Sequence, residues 1–246
     1  VLMAHRGVGE IRADITITGD VVGLLARGTN TLRMRVERVR GNAVTVRPPS
    51  APDVVARPYP VRRLPRRPAA VFGREDETEQ VLAELAAYGS VALQASSGMG
   101  ATTVLRHVAH HPDIAPAYAA VVCLSARGHS RDDLLQALFA TFFDAPLRPT
   151  HGQLRHLLRP VRAAVFLDDV DLPLADVAEL QYLLPNCGFV LAGPRTGGVM
   201  RTVSLSGLPV DAAGELLAHV ACTPVDRSAV YALWGVAGGT PAALVQ

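Results

Sequence analysis

Hydrophobic positions along this chain follow two different periods, and the change falls near residue 70. Between residues 11 and 47 they recur at every second position, and the turn-forming pairs GD, GT and GN interrupt them. The alternating apolar residues are Ile15, Ile17, Leu32, Met34, Val36, Val44 and Val46. A period of two is typical of strands with one buried face, so a small antiparallel β unit is predicted at 1–47. Few strands of this length fold alone, so the unit is expected to pack on something else, as an adaptor or an oligomerisation element.

Beyond residue 70, short apolar runs alternate with amphipathic segments. The runs predicted to be strands are 91–95, 119–125, 163–170, 188–194 and 202–208. Helices are predicted between them, the first in GREDETEQVLAELAAYG and the last in DRSAVYALWGVAGG. Apolar strands that alternate with helices form a parallel sheet with helices on both faces. An α/β fold is therefore predicted for this part of the chain.

The chain is predicted to contain four segments. They are the β-rich unit at 1–47, a linker at 48–70, a sheet-and-helix domain at 71–208 and the start of a helical subdomain at 209–246. The linker is predicted from PPSAPDVVARPYPVRRLPRRPAA, because proline interrupts strand pairing and favours an extended chain.

Composition and charge bear on the partners. Charged residues make up 19% of the chain and the net charge is +2, which does not by itself indicate a polyanionic partner. The predicted linker carries four clustered arginines that are suited to nucleic acid or to an acidic partner. The short run and the lack of interleaved aromatic residues favour a solvated linker instead. These arginines are Arg62, Arg63, Arg66 and Arg67.

Cysteine spacing and hydropathy indicate a cytoplasmic protein. Cys123, Cys187 and Cys222 fit no disulfide or zinc pattern, so they are expected to be buried thiols in a reducing compartment. No apolar stretch approaches the roughly 20 residues that cross a bilayer, and the first residues do not form a secretory signal, so no membrane partner is expected. The chain begins with valine and ends inside a predicted helix, which is typical of a fragment of a longer protein.

The stretch ASSGMGATT, which begins at Ala95, lies between a predicted strand and a predicted helix. A glycine-containing loop at a helix N-terminus directs backbone N–H groups at an anion, and the helix dipole adds a favourable potential. Gly98 and Gly100 supply the backbone freedom of such a phosphate-binding loop. Thr102 stands where a hydroxyl would bind Mg²⁺.

Two further strands end in residues suited to nucleotide chemistry. AAVFLDDVD is an apolar strand with paired carboxylates, of which the first lies 66 residues after Thr102. We predict that Asp168 helps to hold Mg²⁺ and that Asp169 orients the attacking water. The alternative is that Asp169 or Asp171 caps the next segment. The strand GFVLAGPRT offers Arg195, whose charge suits a γ-phosphate.

In this order the motifs resemble the STAND class of signal-transducing P-loop ATPases, which includes the NB-ARC and MalT-like regulators. The resemblance covers about residues 64–246. VFGRED resembles the opening motif that contributes to the adenine pocket, ASSGMGATT the Walker A loop, and VFLDDVD the Walker B strand. LAGPRT resembles the sensor strand, VSLSGLPVDAAGELL the start of the helical subdomain, and GGTPAAL the GxP motif whose proline packs against the base.

The resemblance implies a P-loop NTPase sheet flanked by helices and a nucleotide site built from these motifs. Asp169 and Arg195 would be catalytic, and Thr102 and Asp168 would hold Mg²⁺. The residues that would bind ATP or ADP are Phe72, Gly73, Arg74, Ser97, Gly98, Met99, Gly100, Ala101, Thr102, Thr103 and Pro241.

Members of this class bind ADP when closed, exchange it for ATP when a sensor is engaged, and then oligomerise to activate an effector. The resemblance therefore implies a nucleotide-dependent signalling switch that forms a homo-oligomer and controls an effector protein or domain, in bacterial regulation or antiviral defence. The winged-helix domain and the sensor repeats of the class do not occur in this sequence. The β-rich segment at 1–47 lies outside its motif set.

Ala101 stands where the motif lysine would neutralise β and γ phosphate oxygens. No lysine occurs anywhere, since all 24 positions counted as lysine or arginine are arginine. Nucleotide is expected to bind weakly, through backbone amides and Mg²⁺, with phosphoryl transfer badly impaired. Ala95, at the first glycine of the motif, is a milder departure. Two explanations stay open for Ala101: a natural pseudo-ATPase, or a lysine replaced by design to trap one state.

Two functions of other classes are also consistent with the sequence. One is a non-catalytic scaffold, in which the α/β domain is a relic and the β-rich segment mediates assembly. The other is a DNA-binding regulator that uses RRLPRR in the predicted linker.

Overall fold

The computed structural model describes residues 54–145, 148–194, 198 and 200–246, and in the N-terminal region the strands within 5–47. The chain separates into two compact units. One is Val1–Val55 with Ala145–Arg148, and the other is Ala56–Asp144 with Pro149–Gln246.

The N-terminal unit contains two antiparallel strand pairs. β1 (His5–Gly7) pairs with β2 (Glu10–Arg12), and β3 (Arg35–Arg40) pairs with β4 (Ala43–Arg47). The register of the second pair shifts between Val36 and Arg38, which is a β-bulge. The predicted antiparallel β structure is thus confirmed. Four of the residues on which it was predicted lie outside the described part, namely Ile15, Ile17, Leu32 and Met34.

The larger unit is built on a parallel sheet of six strands, as the predicted α/β fold requires. The strands of this unit, with the short strand that precedes it, are β5 (Val55–Ala56), β6 (Val61–Arg63), β7 (Val91–Ala95), β8 (Ala120–Ser125), β9 (Phe143–Asp144), β10 (Ala163–Asp168), β11 (Gly188–Ala192) and β12 (Arg201–Leu205). The sheet has the order β12-β7-β11-β10-β8-β6, and every neighbouring pair is parallel. The interior strands are apolar because helices cover both faces of the sheet.

The edge strand β6 lies within the stretch that the sequence predicts to be a linker. Val61 pairs with Ala120 of β8, so the sheet has one strand more than predicted. Pro60 and Pro65 flank this strand closely, and proline is tolerated there because an edge strand is paired on one side only. The proline content of this stretch therefore predicts a linker where the structure has a strand.

Helices connect the strands of the sheet. Their bounds are α1 (Glu75–Ala86), α2 (Ala101–Ala109), α3 (Ile114–Ala117), α4 (Arg131–Phe142), α5 (His151–Leu158), α6 (Leu174–Leu183), α7 (Val210–Ala221), α8 (Arg227–Ala237) and α9 (Pro241–Leu244). Capping boxes start two of them, because the side chains of Ser130 and Thr150 accept the N–H groups of Asp133 and Gln153. Within the described ranges, no helix combines the length and the apolar character that crossing a bilayer requires.

Hydrophobic cores stabilise this unit. Of the two that involve α1, α2 and the C-terminal helices, the larger one packs α1 and α2 against the sheet, with Leu85, Leu105 and Phe166 almost fully buried. The smaller core joins the three C-terminal helices and is formed by Leu208, Ala212, Ala213, Leu217, Val230 and Leu244. Trp234 links α8 to the segment before α7, because its indole Nε1 donates a hydrogen bond of 2.7 Å to the carbonyl of Leu208.

We expect alkylation to distinguish the three cysteines, none of which forms a disulfide. Burial raises the pKa of Cys187 to about 12, and burial together with the Asp168 carboxylate raises the pKa of Cys123 to about 12. Cys222 is exposed, contrary to the expectation of a buried thiol. Only thiolates react quickly, so iodoacetamide at pH 8 should modify Cys222 well before the other two, as followed by mass spectrometry. Equal rates in the folded protein and in urea would contradict this expectation.

Candidate nucleotide-binding site

The loop between β7 and α2 has the backbone shape of an anion site. Gly98 and Gly100 have φ of 84° and 92°, a region that favours glycine. Met99 N–H donates to the carbonyl of Ser96 over 3.2 Å and closes the turn. Gly100 is the N-cap of α2, and no side chain of the described residues caps the helix. The N–H groups of the first turn therefore remain available for an anionic ligand, and the helix dipole favours one.

This loop borders a cleft of about 600 Å³. Nine of the predicted site residues line it: Ser97, Gly98, Gly100, Ala101, Thr102, Thr103, Asp168, Asp169 and Pro241. Other lining residues were not predicted as site residues, and they include Leu216, Ala242 and Val245 near the C-terminus. Leu216 and Ala242 belong to segments that the sequence marks, but their place in the cleft depends on how the helices pack.

The two predicted metal ligands lie beside each other. The hydroxyl of Thr102 donates a hydrogen bond of 2.9 Å to Oδ1 of Asp168, although β11 separates β10 from the loop strand β7. The Asp168 side chain is 14% exposed, and its Oδ1 also accepts the N–H of Asp169 over 3.1 Å. A hydroxyl and a carboxylate are the hard oxygen donors that Mg²⁺ prefers, so this pair fits that ion. Within the described ranges, no group of three or more His, Cys, Asp or Glu residues could hold a metal.

Asp169 faces solvent at the rim of the cleft. Its side chain is 47% exposed and its backbone has φ of 56°, which is uncommon outside glycine. Arg127 Nε lies 3.5 Å from its Oδ2, and Arg106 Nη2 lies 3.9 Å from Oδ2 of Asp168. Each carboxylate thus has a nearby arginine.

The inner surface of the cleft carries no positive side chain among its described residues. Ala101 is half-buried and packs against the larger core. Arg195, the predicted sensor residue, lies outside the described residues. The described lining of the cleft therefore presents backbone N–H groups, hydroxyls and carboxylates. Arg106 and Arg127 lie beside the two carboxylates but do not belong to this lining.

The GxP segment touches the phosphate loop directly. Ala242 N–H donates to the carbonyl of Gly98 over 3.2 Å. A Cβ on Gly98 would lie 3.0 Å from the Cβ of Ala242 and 3.3 Å from Cγ2 of Thr240, so a side chain there would crowd the GxP segment, and the positive φ also favours glycine. Pro241, at the start of α9, lines the cleft next to this contact.

The predicted adenine-pocket residues Phe72, Gly73 and Arg74 do not line this cleft. The ring of Phe72 lies 5.5 Å from that of His219 and packs against the smaller core. Gly73 has φ of 57°, and a Cβ there would lie 2.5 Å from the Cβ of Ala212. This segment instead holds the C-terminal helices against the sheet domain.

Arg74 is a buried clamp with an exposed fraction of only 4%. Its guanidinium donates to the Glu77 carboxylate over 2.9 Å, to the carbonyl of Met99 over 3.1 Å and to the carbonyl of Ser206 over 2.5 Å. It therefore joins α1, the phosphate loop and the segment between β12 and α7. Met99 contributes its carbonyl to this clamp, and its side chain packs against the larger core.

The sheet, the loop and the Thr102–Asp168 pair together define the fold of the P-loop ATPases. No family model matches the sequence, and no curated protein is similar to it. Solved structures are similar in fold. A Walker-type ATPase of Pyrococcus abyssi has a TM-score of 0.53 and 16% identity, over 74% of this chain and 68% of that one. A RuvB variant of Thermotoga maritima has a TM-score of 0.50 and 15% identity, over 73% of this chain and 63% of that one.

A STAND protein with a tetratricopeptide repeat sensor, from Pyrococcus horikoshii, is also similar. Its TM-score is 0.44 and its identity 14%, over 72% of this chain and 29% of that one.

Proposed function

We propose that the cleft binds ATP or ADP together with Mg²⁺, and that the chain is a nucleotide-dependent signalling switch of the STAND type. The observation that carries this proposal is the 2.9 Å contact between Thr102 and Asp168 beside the uncapped N-terminus of α2. A phosphate at that N-terminus would receive backbone N–H groups. The neighbouring hydroxyl and carboxylate would hold the cation that neutralises it.

The cleft suits a whole nucleotide because its lining combines two kinds of surface. The loop presents hydroxyls and N–H groups, whereas Leu216, Pro241 and Val245 from the C-terminal helices present apolar side chains. A purine base needs an apolar surface to pack on, and the phosphates need donors. We assign the base to Pro241 and its apolar neighbours. The proposed role of Phe72, Gly73 and Arg74 is to support that pocket from behind.

Phosphoryl transfer is the weak step of the proposed cycle. In this proposal Asp169 orients a water and Arg195 acts near a γ-phosphate. Without a lysine at position 101, the described lining of the cleft offers no positive side chain to the transferred phosphoryl group. Stabilisation of charge in the transition state is the main contribution of such sites, so turnover should be slow.

The contact between α9 and the loop supports the switch. Ala242 donates to Gly98 of the loop, so a loop that rearranges around a γ-phosphate would change how the C-terminal helices are held. We propose that this movement exposes surfaces for homo-oligomerisation and for an effector. In this scheme the domain occupies 71–208, the helical subdomain starts at 209, and the β-rich unit at 1–47 acts as adaptor or oligomerisation element.

A non-catalytic scaffold is the second candidate, and Ala101 is the observation that favours it. In that case the cleft would bind nucleotide without turnover, or would not bind it at all.

Binding of fluorescent ATP and ADP analogues, measured with Mg²⁺ and with EDTA, tests the nucleotide proposal. We expect saturable binding that Mg²⁺ strengthens. Thr102→Val and Asp168→Asn should each weaken the Mg²⁺-dependent affinity about 10-fold, because each removes one oxygen ligand or its charge. Thr202→Val on β12, outside the cleft, is the matched control and should change nothing. Absence of saturable binding at high micromolar nucleotide would refute the proposal.

A further inference from the structure

A second polar surface lies at the opposite edge of the sheet from the nucleotide cleft. We call it the Arg–Tyr surface. It consists of Tyr88, Arg155, Arg159, Arg162, Tyr182 and Asn186, all of them exposed.

The topology of the sheet places these residues side by side. Tyr88 precedes β7, Asn186 precedes β11 and Arg162 precedes β10, and these three strands are neighbours in the order β7-β11-β10. Because the strands are parallel, their amino ends meet at one edge, about 5 Å apart from strand to strand. The phosphate loop follows the carboxyl end of β7, so it lies at the other edge. The Arg–Tyr surface is therefore separate from the cleft.

Direct contacts link the members of this surface. Asn186 Nδ2 donates to the carbonyl of Arg159 over 2.8 Å, and Arg155 Nη2 donates to the hydroxyl of Tyr182 over 2.5 Å. Arg159 has helical backbone angles of φ −54° and ψ −41° at the end of α5, so it lies one helical turn beyond Arg155 on the same face. The surface is thus continuous from α6 across α5 to the start of β10.

Among the described residues, no carboxylate neutralises the three arginines. No carboxylate of the described residues lies within salt-bridge distance of Arg155, Arg159 or Arg162. The nearby Glu84 on α1 is paired with Arg201 over 3.0 Å. Three unneutralised guanidinium groups in one area favour a ligand with repeated negative charges.

The two tyrosines present rings to solvent. Tyr182 is 65% exposed with the guanidinium carbon of Arg155 5.1 Å from its ring centre, and Tyr88 is 57% exposed with that of Arg162 at 6.0 Å. Tyr88 also has φ of 56°, a conformation that a bulky residue adopts only at a cost. An exposed ring beside an unneutralised arginine, occurring twice, is the pairing on which bases stack.

We propose that the Arg–Tyr surface binds single-stranded nucleic acid, with phosphates on the arginines and bases stacked on Tyr88 and Tyr182. An acidic peptide would use the arginines but would not stack on the exposed parts of the two rings. A membrane surface would need exposed aliphatic side chains, whereas Leu154, Leu158 and Leu184 behind this surface are buried. This binding does not depend on the nucleotide cleft.

Fluorescence anisotropy of a labelled twelve-nucleotide oligothymidylate tests the proposal on the full chain. We expect binding whose logarithm falls with the logarithm of salt concentration with a slope of about −2, since three arginines each contribute about −0.7 on a single strand. Changing Arg155, Arg159 and Arg162 to glutamine should weaken binding more than 10-fold. Tyr182→Ala should weaken it about fivefold or more, whereas Tyr182→Phe keeps the ring and should retain most of the affinity.

The matched control changes Arg57, Arg127 and Arg227 to glutamine, which alters net charge by the same amount at exposed positions outside both the Arg–Tyr surface and the RRLPRR segment. It should weaken binding less than twofold. The proposal fails if the oligonucleotide does not bind at 50 mM salt, or if the control loses as much affinity as the triple variant. It also fails if a polyglutamate peptide or anionic vesicles compete as strongly as unlabelled oligonucleotide, which would make the surface a site for acidic protein or lipid.

Discussion

Replacing Ala101 by lysine should tighten ATP and ADP binding by about 10- to 100-fold. A charge-assisted hydrogen bond contributes about 1.5–3 kcal/mol, and each 1.4 kcal/mol is a factor of ten in affinity. The gain should be close to the full value here, because the described lining of the cleft contains no cation that already serves the phosphates. Isothermal titration calorimetry of the variant and the parent chain with each nucleotide would measure it.

Ala101→Met is the matched control, because it adds a side chain of similar length without charge. If the methionine variant gained as much affinity as the lysine variant, packing rather than charge would explain the effect. Unchanged affinity in the lysine variant would contradict the proposed position of the phosphates.

The same variant separates the two candidate functions. Single-turnover hydrolysis of ATP should become measurable in Ala101→Lys if Thr102, Asp168 and Asp169 form a competent site. Tighter binding without any turnover would instead favour the non-catalytic scaffold. The two results are distinguishable, since binding and chemistry are measured separately.

Replacing Arg74 by methionine should lower the free energy of unfolding by about 3 kcal/mol. The change would leave the Glu77 carboxylate, which is 16% exposed, without its partner. It would also leave the carbonyls of Met99 and Ser206 without the donor they now share. Removing one member of a buried ion pair typically costs about 3–5 kcal/mol, and the partial exposure of Glu77 places the effect at the lower end. Urea denaturation followed by circular dichroism would measure it.

Arg66→Met removes the same charge from an exposed position and should change the stability by less than about 0.5 kcal/mol. Arg74→Lys should be intermediate, because one ammonium cannot reproduce the planar fork that reaches three acceptors. Adding Glu77→Gln to Arg74→Met should recover part of the loss. A midpoint of Arg74→Met equal to that of Arg66→Met would show that the clamp contributes nothing.

The sequence predicts the sheet domain well because its signals are local. Apolar runs such as AAVFLD are buried on both faces, and glycines at 98 and 100 are needed for the positive φ of the loop. The proximity of Thr102 and Asp168 can also be predicted from the sequence. Both residues lie at or after the carboxyl ends of strands, and in a parallel sheet these ends lie at the same edge. These elements depend on residue type and spacing alone.

Features that depend on tertiary packing are less accessible. Arg74 belongs to a recognisable motif, yet its acceptors on Met99 and Ser206 are 25 and 132 residues away. The apolar part of the cleft lining depends on where α7 and α9 pack, so the sequence does not show that Leu216 and Val245 belong to it. Strand β6 was not predicted, because the prolines near both of its ends indicate a linker.

The length of the strands determines how strongly charges at the two edges of the sheet interact. β7 and β11 each contain five residues, which span about 17 Å at the usual rise of a strand. The screening length at physiological salt is about 8 Å, so charges at opposite edges interact only weakly through solvent. A nucleotide at one edge and a polyanion at the other would hardly repel each other. Both could then occupy one molecule, and any influence of one on the other would have to be carried by the packing of the helices between them.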